Sequence, residues 1–217
     1  GSGLAIYSVA YSDMNGDGKM EIIVGWRVSM ELQALTVYTL EKDGIRELAR
    51  SDYVKYAVAD LDGDGQRELT VLRADETGAG TADCYLWKNG ILTLGSSIRV
   101  SMTMAELSQQ GRITVGVLRS STPALFVTGV ADSTRAITDV LVLRGGELTN
   151  LVLSAMTGVS GESSRFCTLY PTDINGDGVK DLLLSGDGER YWDIWTYRYG
   201  NLIPLAIMDF YLCENNV

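Results

Sequence analysis

The chain of 217 residues is 46% hydrophobic and carries 18 Lys and Arg against 28 Asp and Glu, a net charge of −10. That is enough apolar material for a real core, under a surface poorly matched to nucleic acid or anionic lipid. It contains no histidine, which excludes Ser-His-Asp and Cys-His arrangements, His-containing zinc sites and the usual general base. No apolar run approaches the roughly 20 residues of a membrane helix, and 24 Gly against 3 Pro point to many tight turns.

In chain order, the first unit (residues 4–50) opens with an alternating stretch, Ile6 to Ala10. The acidic segment DMNGDGKMEIIVG follows from Asp13, and then a pair of runs joined at Asp43-Gly44. The second unit (53–98) repeats the plan. Tyr56 to Ala59 precedes DLDGDGQRELTVL from Asp60, and CYLWKNGILTL turns at Asn89-Gly90. Residues 101–110 read as a short helix, with Thr103 and Glu106 at capping-box spacing and Gly111 as its stop.

The third unit (111–155) has strand-like runs at Arg112–Leu118 and Pro123–Val127, and a turn at Gly145-Gly146. Between the runs, Arg119 to Thr122 carries no carboxylate, so no cation is expected there. A rival register that starts the loop at Asp132 breaks the even spacing of the turns. Residues 157–164, rich in Gly and Ser, read as a loop between units. The fourth unit (165–212) has Cys167 to Tyr170, then DINGDGVKDLLLSG from Asp173, and a turn at Gly200-Asn201.

The turn pairs supply the positive φ that two-residue hairpins need. The short apolar runs, flanked by Gly, are too brief for helices and read as buried strands. Each unit is therefore strand, loop, strand, loop, strand, turn, strand. Four such units in one chain predict an all-β, propeller-like array of four four-stranded antiparallel blades, complete or part of a larger ring.

The acidic loops have the chemistry of a hard cation, which takes six to eight oxygens at about 2.3–2.6 Å. The first offers Asp13, Asn15, Asp17, the carbonyl of Lys19 and Glu21. The second offers Asp60, Asp62, Asp64, the carbonyl of Gln66 and Glu68. The third offers Asp173, Asn175, Asp177, the carbonyl of Val179 and Asp181. Gly18, Gly65 and Gly178 follow the fifth position, where the chain must turn toward the ion. Three such loops predict up to three calcium ions. An EF-hand is excluded, because its twelfth position needs a bidentate Glu and here holds Val24, Val71 and Leu184.

With these residues in view, the DxNGDGxxEIIVG-type loop followed by a strand resembles the FG-GAP and VCBS repeats of integrin-like β-propellers. It is nearer to those of bacterial surface lipoproteins than to an animal integrin. The resemblance is specific in units one, two and four and degenerate in unit three. It implies calcium held by the loop carboxylates, and an extracellular or cell-surface location. It also implies a non-catalytic binding or scaffold role, with a protein or glycan as partner. Propellers of that family have about seven blades, and four units are present here. The alternative function is a calcium-dependent hydrolase or lyase acting on polysaccharide from the same scaffold.

Beyond the loops the sequence carries little chemistry. Cys84, Cys167 and Cys213 lack CxxC spacing and read as small buried residues, with a Cys167–Cys213 bridge left open. Trp195, Tyr197 and Tyr199 alternate onto one strand face. They read as packing between units, with an aromatic sugar platform as the second option. Trp26 and Trp87 also read as packing. No nucleophile motif occurs, and paired carboxylates lie only within the loops.

Overall fold

The computed structural model describes residues 4–30, 32–108, 110–119, 122–155, 161–164, 168–173, 176, 181–185, 191–198 and 200–209. Among these the chain is all-β, with one short helix. The first sheet holds β1 (Ala5–Ser12), β2 (Glu21–Arg27), β3 (Gln33–Glu41) and β4 (Gly44–Asp52), in that order and antiparallel throughout. The second repeats the order with β5 (Lys55–Ala59), β6 (Glu68–Ala74), β7 (Gly80–Lys88) and β8 (Ile91–Arg99). After α1 (Met104–Ser108) comes the third sheet, built from β9 (Arg112–Arg119), β10 (Thr122–Val130), β11 (Arg135–Arg144) and β12 (Glu147–Asn150). The fourth holds β14 (Thr168–Thr172), β15 (Asp181–Ser185), β16 (Tyr191–Arg198) and β17 (Asn201–Asp209).

The third sheet departs from the expected four strands. β13 (Glu162–Ser164) falls in the stretch read as a loop and pairs with Arg135, Ala136 and Ile137 of β11. The cause is the length of β12, which pairs only with Leu141 to Arg144 and leaves the start of β11 with an open edge.

The central strands of the second and third sheets are continuous apolar runs because those sheets are covered on both faces. On β6, Leu69 and Val71 pack with Met14, Ile23, Leu35 and Val37 of the first unit. Leu72, on the opposite face, packs with Leu125, Val127 and Leu141 of the third. A third cluster joins Leu118, Phe126, Val140 and Val142 to Trp195, Tyr197 and Leu202 of the fourth. The sheets thus stack face to face in chain order. The described strands close neither a barrel nor a propeller ring.

Cross-strand pairing moves two of the four turns. At Asn89-Gly90 and Gly145-Gly146 the residues take the expected positive φ, 54° and 76°, then 57° and 83°. Pairing of Leu40 with Ile45, however, sets Glu41 opposite Gly44, so the turn is Lys42-Asp43. Pairing of Tyr197 with Leu202 likewise sets Arg198 opposite Asn201, one residue earlier than Gly200-Asn201 implies. The helix is shorter than residues 101–110 but has the expected cap. Thr103 N–H donates to Glu106 Oε2 at 2.6 Å, and Glu106 N–H donates to Thr103 Oγ1 at 3.3 Å. Met104 and Leu107 fix it to the core beside the second and third sheets.

Candidate cation loops

Each acidic loop links the first two strands of its sheet, and its ninth residue is also the first residue of the second strand. Ser12 pairs with Glu21, Ala59 with Glu68 and Thr172 with Asp181. The closing acid is therefore held by the strand ladder, and in all three loops it is buried.

The first two loops match bond for bond. Glu21 Oε2 accepts the N–H of Met14 at 2.9 Å, as Glu68 Oε2 accepts that of Leu61 at 2.7 Å. Asp13 accepts the N–H groups of Gly16 and Gly18 at 2.9 and 3.0 Å, and Asp60 those of Gly63 and Gly65 at 2.7 and 3.1 Å. Asn15 and Asp17 accept from Asp17 and Lys19, while Asp62 and Asp64 accept from Asp64 and Gln66. Gly18 and Gly65 have φ of 83° and 87°, where a side chain would be strained. In the third acidic loop Asp173 accepts the N–H of Gly176 at 2.7 Å. Asn175, Asp177 and Val179 lie outside the described residues, as do residues 120 and 121 of the turn read as free of metal.

The oxygens suit a hard cation. Ligand oxygens of Asp60, Asp62 and Glu68 lie within 4.8 Å of one another. Two oxygens sharing one calcium ion can stand no farther apart than twice a bond of about 2.4 Å, so all three can reach one ion. Burial first, and then the charges of Asp62, Asp64 and Asp60, push the Glu68 carboxyl up to about 7, against a lowering bond from Leu61 N–H. A cation among these groups would remove the repulsion. In the first loop Asn15 takes the place of the second carboxylate, and Lys19 Nζ stands 3.8 Å from Asp17. The described carboxylates there form no comparable triad.

Two features lie beyond what the sequence reading named. Arg67 crosses from the second loop to the first: its N–H donates to Met14 O at 2.6 Å and its Nη1 to Ser12 Oγ at 3.0 Å. The only hint in the sequence is a basic residue where the first loop has Met20. On the outer face of the first sheet, Ile22, Val24, Trp26, Tyr38 and Ile45 line an apolar cleft. Two aromatic residues of the fourth unit pack instead: Trp195 and Tyr197 are buried, and the Tyr197 hydroxyl takes a hydrogen bond from Arg144 at 2.6 Å. Tyr199, Cys167 and Cys213 lie outside the described residues, while Cys84 is a buried free thiol. Among the described residues no helix is long and apolar enough to cross a membrane.

No family model matches the chain, and no curated protein matches it. Solved structures do. Exotype rhamnogalacturonan lyase YesX matches with a TM-score of 0.55 at 16% identity, over 87% of this chain and 39% of its own. Rhamnogalacturonan lyase PL11 of Bacillus licheniformis matches with 0.53 at 15%, over 95% and 51%. Rhamnogalacturonan lyase YesW matches with 0.53 at 16%, over 94% and 42%. The chain thus spans about half the length of these proteins or less, and the likeness is one of fold.

These neighbours correct the functional expectation. The structures that share the stacked sheets are named as polysaccharide-cleaving enzymes, not as FG-GAP or VCBS proteins. The non-catalytic surface module and the lipoprotein assignment rested on the loops, and the reading against an enzyme on the lack of histidine, of a nucleophile motif and of paired carboxylates outside them; the names of these neighbours agree instead with the alternative, an enzyme acting on polysaccharide. A cation loop that ties two strands together serves a binding module and an enzyme equally well, so it could not separate them.

Proposed function

We propose that this chain is a calcium-stabilised part of a polysaccharide lyase, with its four sheets as blades of a larger propeller. The observation that carries this is the fold shared with three rhamnogalacturonan lyases over 87–95% of the chain. The reading extends to an acidic, uronate-containing glycan as substrate. Such a polymer is too large to enter a cell, so the protein acts outside it.

Elimination at a uronate takes a proton from the carbon next to the carboxyl and expels the glycosidic oxygen. No histidine is present to act as base, and the described carboxylates that cluster are committed to the loops. Calcium in the loops would fix the spacing of the first two strands of each blade through Asp13, Asp60, Asp173 and the acids that close those loops. It also bears on substrate charge. The net charge of −10 repels a polyuronate, and three divalent cations would cancel more than half of it.

The test is incubation of the protein with rhamnogalacturonan, homogalacturonan and a neutral glucan, with calcium or with chelator. Ultraviolet absorbance reports the unsaturated product, and calorimetry reports binding. Calcium-dependent cleavage or binding of the acidic polymers is expected. Neither cleavage nor binding of any acidic polymer would overturn the reading.

A further inference from the structure

The first two acidic loops are joined through the residues that close them. Glu21, the last donor of the first loop, accepts the N–H of Met14, and the carbonyl of Met14 accepts the N–H of Arg67. Arg67 immediately precedes Glu68, the last donor of the second loop. Its guanidinium reaches Ser12, immediately before Asp13. Met14 is fully buried among Ile23 and Leu35 of one sheet and Leu69 and Val71 of the next. The loop tips also meet: a Cβ built on Gly16 would stand 3.6 Å from the carbonyl of Gly65.

Among the described residues the relay runs no farther. Leu61 makes the Met14-type bond to Glu68, but it packs with the cluster shared with the third sheet. That unit has no carboxylate between Arg119 and Thr122. The loop at Asp173 lies beyond this gap in chain order.

We propose that the first two loops bind divalent cations as a cooperative pair coupled through Arg67, a positioning residue. This rests on reading the loops as cation sites. Closing the second loop on an ion fixes Glu68, and with it the N–H and guanidinium of Arg67. Those fix the Met14 peptide and Ser12, which flank Asp13. An ion entering the first loop then meets donors already ordered, so its ordering cost is lower. The effect is reciprocal. Repulsion between the ions does not cancel it, because the three acids of the first loop and the four of the second each outweigh one dication.

The test is calorimetric titration of calcium into the metal-stripped full chain carrying Asp173→Asn, which leaves the paired loops. Adding Asp60→Asn measures the first loop alone, and adding Asp13→Asn measures the second alone. The product of the two association constants for the intact pair should exceed the product of the single-loop constants by about 5-fold to 150-fold. Arg67→Ala removes the guanidinium link to Ser12 and keeps the N–H bond to Met14, so it should lower the ratio measurably while both ions still bind. Arg67→Gln, closer in size and uncharged, serves if the alanine chain fails to fold. A ratio of one in the intact pair would overturn the coupling and leave the cation sites standing. A chain that binds no calcium at all would overturn the cation reading and the coupling with it.

Discussion

Asp139 lies fully buried on β11 and accepts the N–H and the hydroxyl of Ser101, each at 2.6 Å, with Asn150 as a further partner. Burial away from water raises its carboxyl above the ordinary 3.8, and these neutral donors only partly offset the rise. The folded chain therefore keeps a proton that the unfolded chain has released. Stability falls as pH rises from 3.8 toward the raised value, because the unfolded state binds fewer protons across that window. Asp139→Asn keeps the shape and removes the titration. Denaturant melts in chelator at stepped pH should show the variant gaining on the wild type as pH rises from about 4. A difference that does not change with pH would rule out Asp139 as the titrating group. This residue was legible only as an acid inside an apolar run, since its partner Ser101 is distant in sequence and reaches it through the stacking of sheets.

At the scale of elements, what could be read depended on how local the cause is. The acidic loops and the first two strands of the first, second and fourth sheets were visible because loop geometry follows from a nine-residue pattern that recurs. The cap of α1 was visible for the same reason. Thr103→Ala should cost about 1 kcal/mol in a denaturant melt, as loss of an N-cap does, and an unchanged stability would show that burial of Met104 and Leu107 alone holds the helix. Features set by partners in other strands were not legible. The turn at 42–43 and the pairing of Arg198 with Asn201 follow from which residues pair across the hairpin, and β13 follows from the short reach of β12. Gly25 belongs to this class as well. A Cβ there would run into the Tyr53 hydroxyl and Ser8 Oγ, so Gly25→Ala should destabilise by roughly 1–3 kcal/mol through overpacking.

At the scale of the whole molecule, the sequence carried the enzyme reading only as the alternative to a non-catalytic module. Three neighbours at 15–16% identity share the path of the backbone, and a path is not written in any short motif. The loops, by contrast, are local, and they lie where their effect is global. Each ties the first strand of a sheet to the second, and Met14 and Leu61 carry that tie into the clusters between sheets. An ion that binds only the folded loops stabilises by about 2.7 kcal/mol per site at a hundredfold excess over Kd. In a chain of this size that raises Tm by roughly 5–10 °C per site. Extracellular calcium modules bind at about 10⁻⁴–10⁻³ M, so the shift should develop across the millimolar range. Magnesium should give a smaller shift, because it keeps its water and demands a tighter octahedral shell. Asp60→Ala removes the residue that accepts both Gly63 and Gly65 from the loop with four acids, so the calcium-dependent shift should shrink without vanishing. The measurement is a thermal melt of both chains in calcium, magnesium and chelator. A wild-type Tm that is the same in all three, with no metal found by elemental analysis, would leave the loops as hydrogen-bonded turns, with the stability of the stack coming from its apolar clusters alone.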